Sequence, residues 1–160
     1  MSLINANFIK TKKAARLRTN YCYFTIETSY DNKIYVGYAG NCDADYNIKR
    51  IVWQALSAAK SATTHRAISK DFADAIAASD YITVDIIKAK YPGPIYEGTA
   101  PNIHVVWGDQ VEHYREYYGL IDKYKSYAPY GHNEIKSSNK SKIEKSVIEE
   151  YAKKWQVQAY

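Results

Sequence analysis

The sequence predicts an α+β fold: a small three-stranded mixed or antiparallel sheet flanked by helices, with an appended C-terminal helix. Three observations predict it. Two runs rich in aromatic and β-branched residues are separated by Asp31-Asn32, the pattern of two strands and a turn. Four later stretches space their apolar residues by three and four, the period of an amphipathic helix. One run between them, Tyr81 to Ala89, alternates apolar and polar residues, as a half-buried strand does.

Taken in order, Asn20 to Tyr30 is the first strand and Lys33 to Tyr38 the second, antiparallel to it. Gly40 to Asp45 reads as a loop. A helix follows from Tyr46 to Lys60, with Ile48, Ile51, Val52, Ala55, Leu56 and Ala59 on its apolar stripe. A second begins at about Thr64 and carries Ala67, Ile68, Phe72, Ala75 and Ile76. In the third strand Ile82, Val84 and Ile86 face one way and Thr83 and Asp85 the other. Tyr91 to Asn102 holds three prolines and two glycines and reads as a loop. Ile103 to Trp107 leaves a short further strand open. Asp109 to Lys125 is a helix that buries Val111, Tyr114, Tyr118 and Ile121, and Tyr127 to Asn139 is irregular. The last helix, about Ser141 to Trp155, buries Ile143, Val147, Ile148 and Tyr151.

The chain of 160 residues is long enough to bury a core without staples. Its hydrophobic share of 46% and charged share of 24% exclude a disordered polyelectrolyte. No run of 18 apolar residues exists, so no membrane partner is expected. The first 20 residues show no secretory signal, and Cys22 and Cys42 are too few for a four-thiolate zinc site, so a cytoplasmic setting with reduced thiols is expected. Cys22 reads as a core filler. The abnormal count is 17 tyrosines against three phenylalanines and three tryptophans. Tyrosine combines a ring with a hydroxyl and suits half-wet surfaces and interfaces. A net charge of +5 points to an anionic partner. Residues 1–19 form a basic arm, with Lys10, Lys12, Lys13, Arg16 and Arg18 and no acid before the first strand. It is either a solvated end or a phosphate contact.

From residue 20 to about 134 the chain resembles the GIY-YIG nuclease superfamily. Tyr21-Cys22-Tyr23 and Tyr35-Val36-Gly37 stand where that family has its two strand motifs, the first without the glycine. Asn47-Ile48-Lys49-Arg50 resembles its first helix start, with Cys42 to Tyr46 as an insertion. His65 to Lys70, Val84 to Ile87 and the helix Glu112 to Tyr124 resemble later elements, and Tyr130-Gly131-His132-Asn133 resembles the closing motif. On this resemblance the domains are a basic N-terminal arm (1–19), a nuclease domain (20–134) and a C-terminal helical extension (135–160). The resemblance implies a DNA endonuclease dependent on Mg²⁺ or Mn²⁺, either a phage-borne or mobile-element nuclease or a compact restriction-type enzyme, and active in the host's cytoplasm if phage-encoded.

It also implies roles. Tyr23, Tyr35, Arg50 and Glu116 would be catalytic, with Glu116 the metal ligand by its spacing to the closing asparagine. Glu112, one helical turn away, stays open as the ligand. Phosphodiester hydrolysis needs an activated water and neutralisation of charge on the phosphorus oxygens. Arg50 would hold a phosphate oxygen through its planar, permanently charged guanidinium. Tyr23 or Tyr35 would position the water or take its proton, which a nearby cation must assist because a free phenol ionises only near pH ~10. Gly37 would admit substrate or an uncommon φ. Lys12, Lys13, Arg16, Arg18, His65, Lys70 and Asn133 would contact nucleic acid.

Blander readings exist for each residue. Strand tyrosines pack sheets, an arginine at a helix start is commonly solvated or salt-bridged, Glu112 and Glu116 suit a charged outer face, and Asn133 suits a turn. They lead to an alternative: an inactive module of the same scaffold that binds nucleic acid or a host protein. A third reading is a small-nucleotide binder with stacking tyrosines between Tyr91 and Tyr96. A homodimer also remains an option, because tyrosine and tryptophan favour interfaces.

Overall fold

The structure, a computed structural model, describes residues 7–12, 20–61, 68–91, 110–136 and 140–157. Strand β1 is Ile9–Thr11, β2 Asn20–Thr28 and β3 Ile34–Asp43; helix α1 is Ala44–Ser61 and α2 Lys70–Ala78; then come strand β4, Ile82–Tyr91, and helices α3, Gln110–Tyr124, and α4, Lys142–Trp155. Among the described residues no helix is long and apolar enough to cross a membrane.

The sheet corrects the expected one. It has four strands in the order β1-β4-β2-β3 and is flanked by four helices among the described residues, not three strands of the GIY-YIG type. The added strand comes from the basic arm and runs parallel to β4, with Ile9 opposite Ile82 and Thr11 opposite Val84. Three residues are too few to show an alternating pattern, and Lys10, Lys12 and Lys13 give the segment the look of a solvated end. Its partner lies far along the chain, so no local signal announces the pairing. The backbone N–H of Lys12 extends the contact by donating to the Val84 carbonyl at 2.9 Å.

The hairpin forms as its residues dictate. Asp31 accepts from the Lys33 N–H at 3.0 Å and from the Thr28 hydroxyl. Asn32 takes φ 58°, a left-handed conformation that asparagine tolerates. β3 then runs on to Asp43, through most of the expected loop, and α1 begins at once with Ala44. Ser69 caps α2 and Ser141 caps α4, each hydroxyl accepting an N–H of the first turn at 3.1 Å. The stretch Ile103 to Trp107 and the first turns expected for the second helix lie outside the described residues.

Two cores lie on opposite faces of the sheet. On one, Cys22, Phe24 and Ile26 of β2, Ala39 of β3 and Ile82 and Val84 of β4 meet Ile48, Val52 and Ala55 of α1 and Phe72 and Ile76 of α2. On the other, Val36 of β3 meets Tyr118 and Ile121 of α3 and Val147, Ile148 and Trp155 of α4. Ile143, expected inside, is exposed. Gly37 is explained by the first core: a Cβ there would lie 2.6 Å from the Phe24 ring. Room for that ring, not access for a ligand, is what the glycine provides.

α3 and α4 are clasped. Asp122 accepts from Lys154 Nζ at 2.6 Å and from Trp155 Nε1 at 2.7 Å, and Tyr118 donates its hydroxyl to Glu144 at 3.0 Å. Tyr127 stacks flat on Trp155 with centroids 4.4 Å apart, and Tyr151 leans on the same indole.

Candidate functional site

The hairpin register decides which strand residues share a face. Tyr23 pairs with Tyr38, and Tyr35 pairs with Ile26. Residues directly opposite point the same way, and neighbours along a strand alternate. Tyr23 and Tyr35 therefore lie on opposite faces of the sheet. Counting outward from the turn at Asp31-Asn32 carries this signal in the sequence itself.

Tyr23 is fully buried beneath α3. Its hydroxyl meets His113 Nδ1 at 2.9 Å, and the two rings stack. Glu116 lies on the same side, its Oε2 accepting from Lys88 of β4 at 2.8 Å. Burial, then the Glu116 charge, push the Tyr23 phenol far above its usual range. Tyr38 stands edge-on to both His113 and Tyr117, and burial pushes its phenol up to about 12. Both shifts favour the neutral phenol.

Tyr35 belongs to the other face. It stacks on Phe72 of α2, with centroids 4.6 Å apart. Burial raises its pKa and the Arg50 charge partly opposes the rise; α1, which carries Arg50, packs on this same face of the sheet. Arg50 is exposed on α1, its guanidinium 3.5 Å from Asn47 Oδ1. The sheet thus has Tyr35 and the Arg50-bearing α1 on one side, and Tyr23 and Glu116 on the other.

The implied divalent cation finds a poor donor set. Glu116 faces an ammonium, and among the described residues no group of three or more His, Cys, Asp or Glu side chains could hold a metal ion. Mg²⁺ keeps most of its waters and binds through one or two carboxylates, so the described residues give no support for a metal here, with Lys88 already beside Glu116.

Asn133 serves the fold. Its Oδ1 accepts from the Val36 N–H at 2.8 Å, and its Nδ2 donates to the Val36 carbonyl at 2.9 Å. Tyr117 donates to that carbonyl as well, at 3.1 Å, and the His132 N–H donates to the Ile34 carbonyl at 2.9 Å. The Asn47 amide donates to the Tyr38 carbonyl at 3.1 Å. Side chains and a loop thereby satisfy the open edge of β3, which would otherwise invite another strand. The loop that carries Asn133 is tight: a Cβ on Gly131 would fall 2.3 Å from the Ser126 Cα.

The remaining expected contacts are dispersed. Lys70, exposed at the start of α2, is paired with Asp74 at 2.8 Å. Lys12 is exposed beyond β1. Lys13, Arg16, Arg18 and His65 lie outside the described residues.

The apolar stripe of α1 faces the core, and of the outer side the sequence motif marks only Lys49 and Arg50. That outer side carries Tyr46, Lys49, Arg50 and Trp53, spaced i, i+3, i+4 and i+7 and so confined to an arc of about 100°. Tyr46 is 59% and Trp53 41% exposed. Lys49 reaches back to Asp45 at 3.1 Å, an exposed ion pair worth little. Two large rings therefore present exposed surface beside two cations on this side of the helix. The spacing was present in the sequence, but only the apolar stripe shows which side faces out.

No protein-family model, no curated protein and no solved structure matches the chain.

Proposed function

We propose that this protein is a nucleic-acid-binding module that grips the phosphate backbone through the outer face of α1 and does not depend on cleavage. One observation carries the reading: Lys49 and Arg50 stand between exposed Tyr46 and Trp53 on a single helix face. Cations neutralise phosphates and release counterions, while rings stack on bases. The net charge of +5 favours the same class of partner. Arg50 keeps the phosphate-binding role that its guanidinium suits, without the metal and the carboxylate.

The test is binding to fluorescein-labelled DNA followed by anisotropy across a salt series. Lys49→Ala with Arg50→Ala should weaken binding and flatten the slope of log affinity against log salt by about 2, roughly one per lost phosphate contact. An unchanged slope would remove α1 from the interface.

A second reading is the divalent-dependent DNA endonuclease that the resemblance implies. Incubating plasmid with Mg²⁺ or Mn²⁺ separates the two. Nicking that disappears in both Arg50→Ala and Glu116→Ala would establish the enzyme and displace the binding module.

A further inference from the structure

Resting on that binding reading, we infer that the α1 face takes single-stranded DNA, with bases stacked on Trp53 and Tyr46 and the intervening backbone held by Lys49 and Arg50. The argument begins with what a duplex offers. Its bases are stacked on one another, so only edges and phosphates are available to a helix face. Cations alone would suffice for such a partner. Two exposed rings add nothing to phosphate contact and cost solubility in the free protein. Their natural complement is an unstacked base, whose π-face is open in a single strand.

The geometry suits this. A rise of 1.5 Å per residue puts Tyr46 and Trp53 about 10 Å apart along the helix axis. That is too far for adjacent stacked bases, which are ~3.4 Å apart along a strand, but within reach of bases separated by a stretch of extended backbone. Lys49 and Arg50 lie between the two rings, where that backbone must pass. Asn47 approaches the Arg50 guanidinium from the sheet side, which leaves the rest of its donors for a ligand. Stacking tolerates every base, so the expected preference is for strandedness and not for sequence.

The experiment compares labelled oligo-dT with a hairpin duplex of equal phosphate number at one salt concentration. Wild-type protein should bind oligo-dT at least ten times more tightly. Trp53→Ala should abolish most of that preference, through a loss of about tenfold or more in single-strand affinity, and Trp53→Phe should keep it. Tyr46→Ala should give a smaller loss in the same direction. Tyr30→Ala, which removes an exposed ring outside α1, should change nothing. Equal affinity for the two probes, with both bound, would overturn the single-strand inference and leave the binding reading standing. No binding to either would overturn both. Tighter binding of oligo-U than of oligo-dT would overturn the assignment to DNA.

Discussion

Asn133 shows how one side chain can stand in for a strand. Its amide presents one acceptor and one donor to Val36, the two groups that a neighbouring peptide unit would supply. Asn133→Ala should cost about 1–3 kcal/mol, since the buried Val36 N–H loses its acceptor while the Val36 carbonyl keeps only the Tyr117 hydroxyl. Asn133→Asp should not restore it, because a carboxylate cannot donate to the Val36 carbonyl. Urea unfolding of the three proteins measures both effects. Nearby, His132 is buried against Phe72, with Nε2 placed 3.0 Å from Asp31. Its Nδ1 is buried without a hydrogen-bond partner among the described residues, so a second ring proton would enter an apolar site. Burial therefore lowers the His132 pKa, outweighing the attraction of Asp31. A depressed histidine stabilises the fold fully above its unfolded value, 6.5, and that contribution is lost as pH falls through the folded value. Asp31 is also depressed, by the Thr28, Lys33 and His132 bonds that outweigh its burial, and its contribution disappears below the ordinary carboxylate value of 3.8. The urea midpoint should therefore drop from pH 7 to pH 5, and His132→Gln should flatten that part of the curve.

Among the elements, α4 depends on its clasp to α3. The Asp122 carboxyl is held below its usual range by the Lys154 and Trp155 bonds. Its stabilising effect is present above 3.8 and is lost as pH falls through the lowered value, which adds to acid sensitivity. Asp122→Ala should loosen α4 while the sheet persists. Tryptophan fluorescence should shift to longer wavelength as Trp155 meets water, before far-UV ellipticity from the remaining elements changes. The excess of tyrosine finds much of its explanation here. Tyr38, Tyr117, Tyr118, Tyr151, Trp155, Tyr127 and Tyr130 form a continuous series of ring contacts from β3 across α3 and α4 to the closing loop. Phenylalanine would fill the same space but could not donate to Val36 or Glu144, as Tyr117 and Tyr118 do. Tyrosine lets this core contain polar groups without leaving them unsatisfied.

At the scale of the molecule, the two hairpin strands, the third strand of the sequence reading and the four helices were legible because each rests on local periodicity or turn chemistry. Asp31-Asn32 marks its turn without help from distant residues. β1 was not legible, since three residues carry no period and its partner is remote. The expected site failed to assemble for a similar reason. Motif order places Tyr23, Tyr35, Arg50 and Glu116 in sequence, but the register sets Tyr23 and Tyr35 on opposite faces. The outer stripe of α1 was written in the spacing, yet exposure is a property of the packed fold. One prediction belongs at this scale. Removing residues 1–12 uncovers the edge of β4 while β3 stays covered by Asn133. The shortened protein should self-associate as concentration rises, measured by light scattering after size exclusion, whereas the intact chain should not change over the same range. The parallel pairing of Ile9 with Ile82 also sets a timetable for a chain made from its N-terminus. Synthesis proceeds at ~5–20 residues per second, so β1 leaves the ribosome seconds before the strand that will hold it. During that interval Ile9 to Thr11 have no strand to lie against, so the fourth strand can join the sheet only after the β2–β3 hairpin is complete and β4 has been made.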